Sequence, residues 1–336
     1  MRATIKDVAK NAGVSIATVS YVIHNKKELS PTVKQRVIDA MAQLHYRPNV
    51  NAQSLKTNRT NKVGVIVPDI ANPFFSNIVK KIDEILQKKN FQLVLCNSNY
   101  QIEREIAICS SFIQSGGVDT LILIAPRMTD KSLYEQSRDY PFFVVDRPET
   151  IKTKNIVFVY SDNYLGSSLV AENFFNHGYK SFACITGLES VPNANTRLEG
   201  FLDKLMDLGF DSNKVIIERG EFTFEDGFKC MQNILRRIEN MKKLGVFVCS
   251  DISAWGAMEA VKEMGLAIGE NIGIHGYDNI FMSQFFNPAL TTVKTPSDEM
   301  GEEVANMVLD YVTKQKKITD CHSRILSASL VERNSV

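Results

Sequence analysis

Nine short apolar runs, most of them followed by a helical stretch, set the architecture of the chain after residue 60. They read VGVIVPD (63–69), QLVLCNS (92–98), TLILIAP (120–126), FFVVDR (142–147), IVFVYSD (156–162), SFACITG (181–187), VIIERGE (215–221), VFVCSD (246–251) and IGIHGYD (272–278). Runs this apolar do not alternate as a half-exposed strand would. They predict strands buried on both faces, in parallel sheets covered by helices such as 75–89 and 253–264. The runs fall into two sets, which predicts two doubly wound α/β lobes. The expected core is 61–336, with an N-lobe of about 61–160 plus 292–319 and a C-lobe of about 161–291 plus 320–336.

The first 60 residues are different in kind. They hold ten Lys/Arg against three Asp/Glu, a net +7, while the other 276 residues carry 29 against 35, a net −6. That asymmetry is the footprint of a nucleic-acid-binding arm on a mildly acidic body. The segment TIKDVAKNAGVSIATVSYVIH (4–24) predicts two helices around a tight turn. Thr4 and Asp7 form a capping pair, and Ile5, Val8, Ala9 and Ala12 follow helical spacing. Gly13 supplies the left-handed turn, and Ser15 caps the second helix. Ser30-Pro31 starts a third helix that buries Val33, Val37, Ile38, Met41 and Leu44.

Helix, glycine turn, helix is a helix-turn-helix, whose second helix enters the DNA major groove. On that geometry Ile16 and Ala17 are candidates for thymine-methyl contacts, and Tyr21 for a single base hydrogen bond. Ser15, Thr18 and Ser20 are candidates for phosphate contacts. Tyr46-Arg47-Pro48 ends the third helix, and Asn49 caps a short helix at 50–56. Leu55 on that helix has two readings, a wedge that unstacks bases from the minor groove or a side chain packed on the body below.

Residues 4–56 resemble the DNA-binding headpiece and hinge helix of the LacI/GalR family of bacterial transcription regulators. The likeness is carried by IKDVAKNAGVS, TVS, HYRPN and SLK, and it continues through the body. It implies a homodimer on a pseudo-palindromic double-stranded operator, with two Leu55 side chains prying open a central base step. The full set of DNA-contacting candidates is Thr4, Ser15, Ile16, Ala17, Thr18, Ser20, Tyr21, His24, Ser30, Tyr46, Asn49, Ala52, Gln53, Leu55 and Lys56. His24 stands where the family usually has Asn, which leaves two readings: the contact made there is absent, or it is remade by a group whose charge depends on pH.

Several apolar runs end in acids: Asp69, Asp146, Asp162, Asp251 and Asp278. Ligands of open parallel sheets bind beyond the carboxyl ends of the strands, and carboxylates there accept hydrogen bonds from the hydroxyls of a sugar or polyol. Asp162, in SDNYLG, reads instead as a helix cap. The family resemblance implies a core similar to periplasmic sugar-binding proteins. It places Phe74, Phe75, Asp146, Arg197, Phe222, Ser250, Asp251 and Asp278 at effector positions, with Ser250 departing from the family's usual Asn. Asp69 joins them as a strand-end acid. Arg147 has two readings: with Arg197 it favours a ligand bearing a carboxylate or phosphate, or it pairs with an acid at the cleft rim.

Nothing in the chain points to catalysis. The five histidines lie apart from one another and from the cysteines, no cysteine pair has C-x-x-C spacing, and there is no G-x-S-x-G, Walker loop or G-x-G-x-x-G. No cofactor or metal is expected. No apolar run reaches the ~20 residues of a membrane helix, and the chain opens on a capped amphipathic helix, so a cytoplasmic protein is expected. The whole predicts an allosteric repressor of a carbohydrate-utilisation operon, answering to a sugar or sugar acid between the lobes. A sugar-processing enzyme or sugar-binding protein with an added DNA-binding arm is the alternative. The four residues after Glu332 leave no room for a tetramerising helix, so a dimer is expected, joined by the helix after Phe75 and the segment near 281–286.

Overall fold

A computed structural model describes residues 3–24, 29–47, 59–138, 140–238 and 243–336. It divides into two units, Met1–Thr60 and Asn61–Val336.

The first unit contains helices α1 (Ile5–Ala12), α2 (Ile16–His24) and α3 (Pro31–Gln43). Its small core is Val8, Ala9, Ala12, Val19, Val37 and Ala40, with Ile5, Val14, Val22, Ile23, Met41, Leu44 and Tyr46 packed around it. The Asp7 carboxylate accepts from both the Thr4 N–H (2.9 Å) and the Thr4 hydroxyl (2.7 Å). Gly13 ends α1 at φ 62°, and Val14 N–H reaches back to Ala9 O, a Schellman-type closure. Ser30 accepts from Val33 N–H at the start of α3. One expectation fails: Ile38 is 45% exposed, and Ala40 takes the inward position. On a helix whose core stripe runs through Val37 and Ala40, residue 38 points 100° away from 37.

The second unit is two lobes, each built on a six-stranded sheet. The first sheet has the order β11-β5-β4-β3-β1-β2 and the second β12-β10-β9-β8-β6-β7. Strands β1 to β9 are Lys62–Val67, Gln92–Asn97, Thr120–Ile124, Phe142–Val145, Ile156–Ser161, Ser181–Gly187, Ile216–Gly220, Leu244–Val248 and Ile272–Asp278. All nine match the apolar runs, and every pairing among them is parallel. The intervening helices are α4 (Pro73–Gln87), α5 (Ile102–Ser115), α6 (Asp130–Ser137), α7 (Asn163–Asn176), α8 (Pro192–Asp207), α9 (Phe224–Arg236) and α10 (Asp251–Glu263), with α11 (Ser297–Val312) near the end. Apolar clusters lie on both faces of each sheet, as parallel strands require. None of the described helices is long and apolar enough to cross a membrane.

The C-terminal segment divides between the lobes differently from expectation. β10 (Thr291–Lys294) pairs with β9 and so belongs to the second lobe. α11 then packs in the first lobe's core, and β11 (Arg324–Leu326) extends the first sheet beside β5. β12 (Ser329–Val331) closes the second sheet as its antiparallel edge. The chain therefore passes between the lobes after β5, after β10 and after β11, and the first lobe takes 297–326 rather than 292–319. Strands of three or four residues carry too little apolar sequence to announce which sheet they join.

Candidate DNA-reading face and interlobe cleft

In the first unit, α2 presents an outward face at its start. Ser15, Ile16, Ala17 and Tyr21 are exposed, Ile16 by 45% and Tyr21 by 39%. The exposed isoleucine and tyrosine give this face apolar surface that a partner can cover. Val19, on the opposite side of the helix, is fully buried. Ser15 Oγ accepts from Thr18 N–H (3.1 Å) and pairs with Thr18 Oγ (2.9 Å), so Ser15 is the cap of α2. Ser20 is half-buried and Thr4 and Ser30 sit exposed at helix starts. Tyr46 is half-buried against the core, where its ring serves packing as well as any contact outward. Asn49, Ala52, Gln53, Leu55 and Lys56, with the expected hinge helix, lie outside the described residues, as does the side chain of His24.

In the second unit a cavity of about 50 Å³ lies between the lobes. Of the ten expected effector residues, Phe74, Phe75, Asp146, Arg197, Phe222, Ser250 and Asp278 line it. Pro68, Asn72, Tyr100, Ala125, Arg127, Val191 and Asn193 complete the wall and were not foreseen. Five of the lining residues are non-glycines with positive φ: Tyr100 (59°), Ala125 (43°), Asp146 (55°), Phe222 (62°) and Asp278 (109°). Each such residue costs on the order of 1–3 kcal/mol, and strain of this kind collects at functional sites. Here it bends the chain directly after β2, β3, β4, β7 and at the end of β9, which turns those side chains into the gap. Gly187 makes room for the Phe222 ring, since a Cβ there would meet it at 2.4 Å.

Arg197, on α8, is the hub of the cleft. Its Nε donates to Asn163 Oδ1 (2.7 Å) and Nη1 to the Cys249 carbonyl (2.7 Å), while Nη2 lies 3.5 Å from Asp278 Oδ1. The guanidinium stacks on Tyr277, 3.8 Å from the ring centroid. Burial works against its charge, but Asp278, Tyr277 and Asp146 outweigh it and raise its pKa. Burial pushes Asp146 up to about 6, with Arg197 and the Asn193 amide pulling the other way. Burial also holds Asp278 well above the usual carboxylate range, against the pull of Arg197. Asp146 Oδ1 and Asp278 Oδ1 are buried and accept no hydrogen bond from the described residues. Asn193 Nδ2, from the second lobe, donates to the Asp146 carbonyl of the first (2.8 Å).

Three expected residues are elsewhere. Arg147 is buried beneath the loop after β3: Nη1 donates to the carbonyls of Pro126 (2.9 Å) and Met128 (2.5 Å), and Nη2 to Asp130 Oδ1 (2.7 Å). Its second reading, pairing with an acid, is the one the geometry takes. Asp251 is fully buried and turned away from the cavity. It accepts from Ile280 N–H (2.9 Å), Ser283 Oγ (2.6 Å) and Thr292 Oγ1 (2.6 Å). Residue 251 is the first of α10, and a side chain there folds back toward β9, where Gly276 leaves space for it. Asp69 caps its own turn, accepting from Ala71 N–H (2.9 Å). Asp162 does cap α7, accepting from Leu165 N–H (2.9 Å).

Comparison with known proteins gives the same picture along the whole chain. Residues 4–49 match the family model for bacterial regulatory proteins of the lacI family, and residues 171–336 match the periplasmic binding protein-like domain. The HTH-type transcriptional repressor PurR of Edwardsiella ictaluri is 33% identical, over 99% of this chain and 97% of the relative. The protein of the same name from Pasteurella multocida is 31% identical over 96% and 97%. Among solved structures, the lac repressor dimer bound to operator and the anti-inducer ONPF superposes with a TM-score of 0.86 at 26% identity, covering 100% of this chain and 99% of that one. A LacI-family regulator from Enterococcus faecium with bound ribose gives 0.72 at 28% identity, covering 82% and 98%. The chain belongs to the LacI/GalR family of bacterial regulators and is a DNA-binding transcriptional repressor, not an enzyme.

Proposed function

We propose that this repressor acts as a homodimer on a pseudo-palindromic operator of a carbohydrate-utilisation operon, and that a small neutral sugar or polyol between the lobes sets its grip on DNA. The observation that carries the ligand class is Asp146 Oδ1, a buried acceptor without a donor among the described residues, beside Asp278, whose Oδ1 is ion-paired with Arg197 at 3.5 Å but accepts no hydrogen bond; both residues line the cavity. Buried acceptors without donors are costly, and sugar hydroxyls supply donors. Phe74, Phe75 and Phe222 give apolar walls for the C–H faces of the ring. A sugar acid fits less well, because Arg147 is committed to the loop after β3 and Arg197 already serves Asn163, Cys249 and Asp278. A flat heterocycle bearing N–H donors is the second reading, favoured by the three phenylalanines and Tyr100 around so narrow a cavity.

Ile16, Ala17 and Tyr21 read bases, Ser15, Thr18 and Ser20 hold phosphates, and the segment around Leu55 transmits the signal. Ligand binding changes the relation of the lobes, and a coupling of ~1–3 kcal/mol to DNA affinity is typical. Self-association is supported by Phe281 and Phe285, exposed by 71% and 68% with ring centroids 5.2 Å apart. The apolar face of α4, by contrast, is spent inside its own lobe: Phe74, Phe75, Ile78, Val79, Ile82 and Leu86 are all buried.

A thermal-shift screen of neutral sugars, sugar acids and nitrogen heterocycles on the full chain tests the reading, because a ligand of the folded state raises the melting point by mass action. Hits are then carried to binding on a DNA site selected from random duplexes. A neutral sugar that stabilises the parent, fails with Asp278→Asn and shifts DNA affinity is the expected result. Stabilisation by acids alone would refute the ligand class.

A further inference from the structure

We infer that Arg127 and Glu221 form a latch across the mouth of the cleft, and that the loop bearing Arg127 is built to present it. Arg127 follows β3 in the first lobe, and Glu221 follows β7 in the second. Arg127 Nη2 donates to Glu221 Oε2, and the guanidinium lies over the Tyr100 ring, 4.6 Å from its centroid. Any opening of the lobes has to break this pair, whereas opening leaves the Arg127–Tyr100 stack intact within one lobe. The arginine end is enclosed, at 12% side-chain exposure, and the glutamate end is 40% exposed. The latch is thus anchored on the first lobe and released on the second.

The loop itself carries the stronger argument. Two buried charges hold its backbone from opposite sides. The Glu105 carboxylate accepts from the N–H groups of Arg127 (2.9 Å) and Met128 (3.0 Å) and from Ser98 Oγ (3.3 Å). Arg147 grips the carbonyls on either side, at Pro126 and Met128. Glu105 is 2% exposed and Arg147 is 4% exposed, and buried charges are retained at a cost in desolvation. Burial accordingly raises the Glu105 pKa, against the loop amides that pull it down. Ala125, just upstream, is bent to φ 43°. A loop fixed by a buried acid, a buried base and a left-handed turn is held in one shape while the closed lobes shield it from water. Its one long side chain directed at the opposite lobe therefore acts as a rigid catch. On the other side, Glu221 is set by its own N–H, which donates to Asp226 Oδ2 (2.8 Å) at the start of α9.

The latch does not depend on which ligand fills the cleft, so it is tested on ligand-free full-length protein. Amide hydrogen exchange is followed in peptides spanning 125–129 and 221–225, with a peptide from β6 as an internal reference. Arg127→Gln and Glu221→Gln are each expected to speed exchange at both lips by up to about fivefold, the range of an ion pair that is partly exposed. The double variant should do no more than the stronger single, and the charge swap Arg127→Glu/Glu221→Arg should restore slow exchange. Since Glu105 and Arg147 hold the loop backbone, neither substitution removes its support, and the β6 reference should not change. Unchanged lips in both singles, or strictly additive effects in the double, would overturn the latch. A sugar screen without hits leaves this exchange result standing, and a sugar that binds with unchanged lips sinks the latch alone.

Discussion

Asp251→Ala separates two assignments of one residue by a measurement that needs no ligand. The strand-end rule makes Asp251 a cleft residue; the structure makes it a staple joining α10, the turn at Ile280–Ser283 and β10. Removing the carboxylate leaves three donors, Ile280 N–H, Ser283 Oγ–H and Thr292 Oγ1–H, without their acceptor. At about 2 kcal/mol for each unsatisfied group the gross cost is about 6 kcal/mol. Part of that is offset, because the buried carboxylate is itself unfavourable when ionised. Burial pushes its pKa from 3.8 up to about 6, roughly 3 kcal/mol at 1.36 kcal/mol per pH unit. The net loss at pH 7.5 is therefore about 3 kcal/mol. A carboxyl with a raised folded pKa stabilises the fold below its unfolded pKa, and that contribution is lost as pH rises through about 6. Between pH 7.5 and pH 5 the parent regains one pH unit of it, roughly 1.4 kcal/mol, which the variant cannot regain. The deficit of Asp251→Ala should accordingly widen from about 3 to about 4.4 kcal/mol on acidification. Trp255, the only tryptophan, lies on the same helix and stacks on Phe286 with centroids 5.3 Å apart, so its fluorescence during urea unfolding reports this region. An unfolding midpoint equal to the parent's, or a deficit that does not change between pH 5 and 7.5, would refute the staple.

The outward face of α2 should be separable from its fold: Ile16→Ala and Tyr21→Phe leave the melting point unchanged, because both side chains are exposed. Each weakens binding to a selected operator by about 1–3 kcal/mol at fixed salt, read by fluorescence anisotropy. A sugar identified in the thermal screen should bind more tightly as pH rises from 5 to 7.5, since its hydroxyls donate best to an ionised Asp146 whose pKa is about 6. Calorimetry should show that slope flattened in Asp146→Asn. Arg147→Met should destabilise the first lobe by roughly 2–4 kcal/mol, because the Pro126 and Met128 carbonyls lose their donor, and a parent-like urea midpoint would exclude that role.

What could be read from the sequence follows from what a strand or a helix cap must be. The inner strands among β1 to β9 are enclosed by helices, so nearly every residue in them is apolar and the runs stand out, whereas the edge strands β2 and β7 are only half-buried and β7 carries Glu218 and Arg219. β10, β11 and β12 are three or four residues long and join sheets assembled far away in sequence, so their pairing is not a local property. Gly13, Ser15, Ser30 and Asp162 were legible because a cap satisfies neighbouring backbone groups. Asp251 misled because a strand end fixes where a residue is, not which way it points; as the first residue of α10 its side chain returns to the core. Arg147 had two readings, and the geometry takes the pairing with an acid; Arg127, three residues past the end of β3, lines the cleft instead. Tyr100 and Asn193 had no motif to mark them. The available signal was positional, since both lie within a few residues of a sheet's carboxyl edge.

The same geometry explains why the two arginines cannot exchange roles. Arg147 lies one residue beyond Asp146, whose left-handed turn at φ 55° sends that carboxylate into the cleft. The next side chain is then carried to the opposite side of the turn, under the loop after β3. There its fork meets two carbonyls and Asp130, and a fixed planar donor set suits such a task. The loop so held presents Arg127 to the cavity. One strained residue therefore aims an acceptor inward and, through its neighbour, secures the loop that closes the mouth. Relaxing that φ would disturb both at once, which ties the ligand-facing carboxylate and the interlobe contact to a single bend in the backbone.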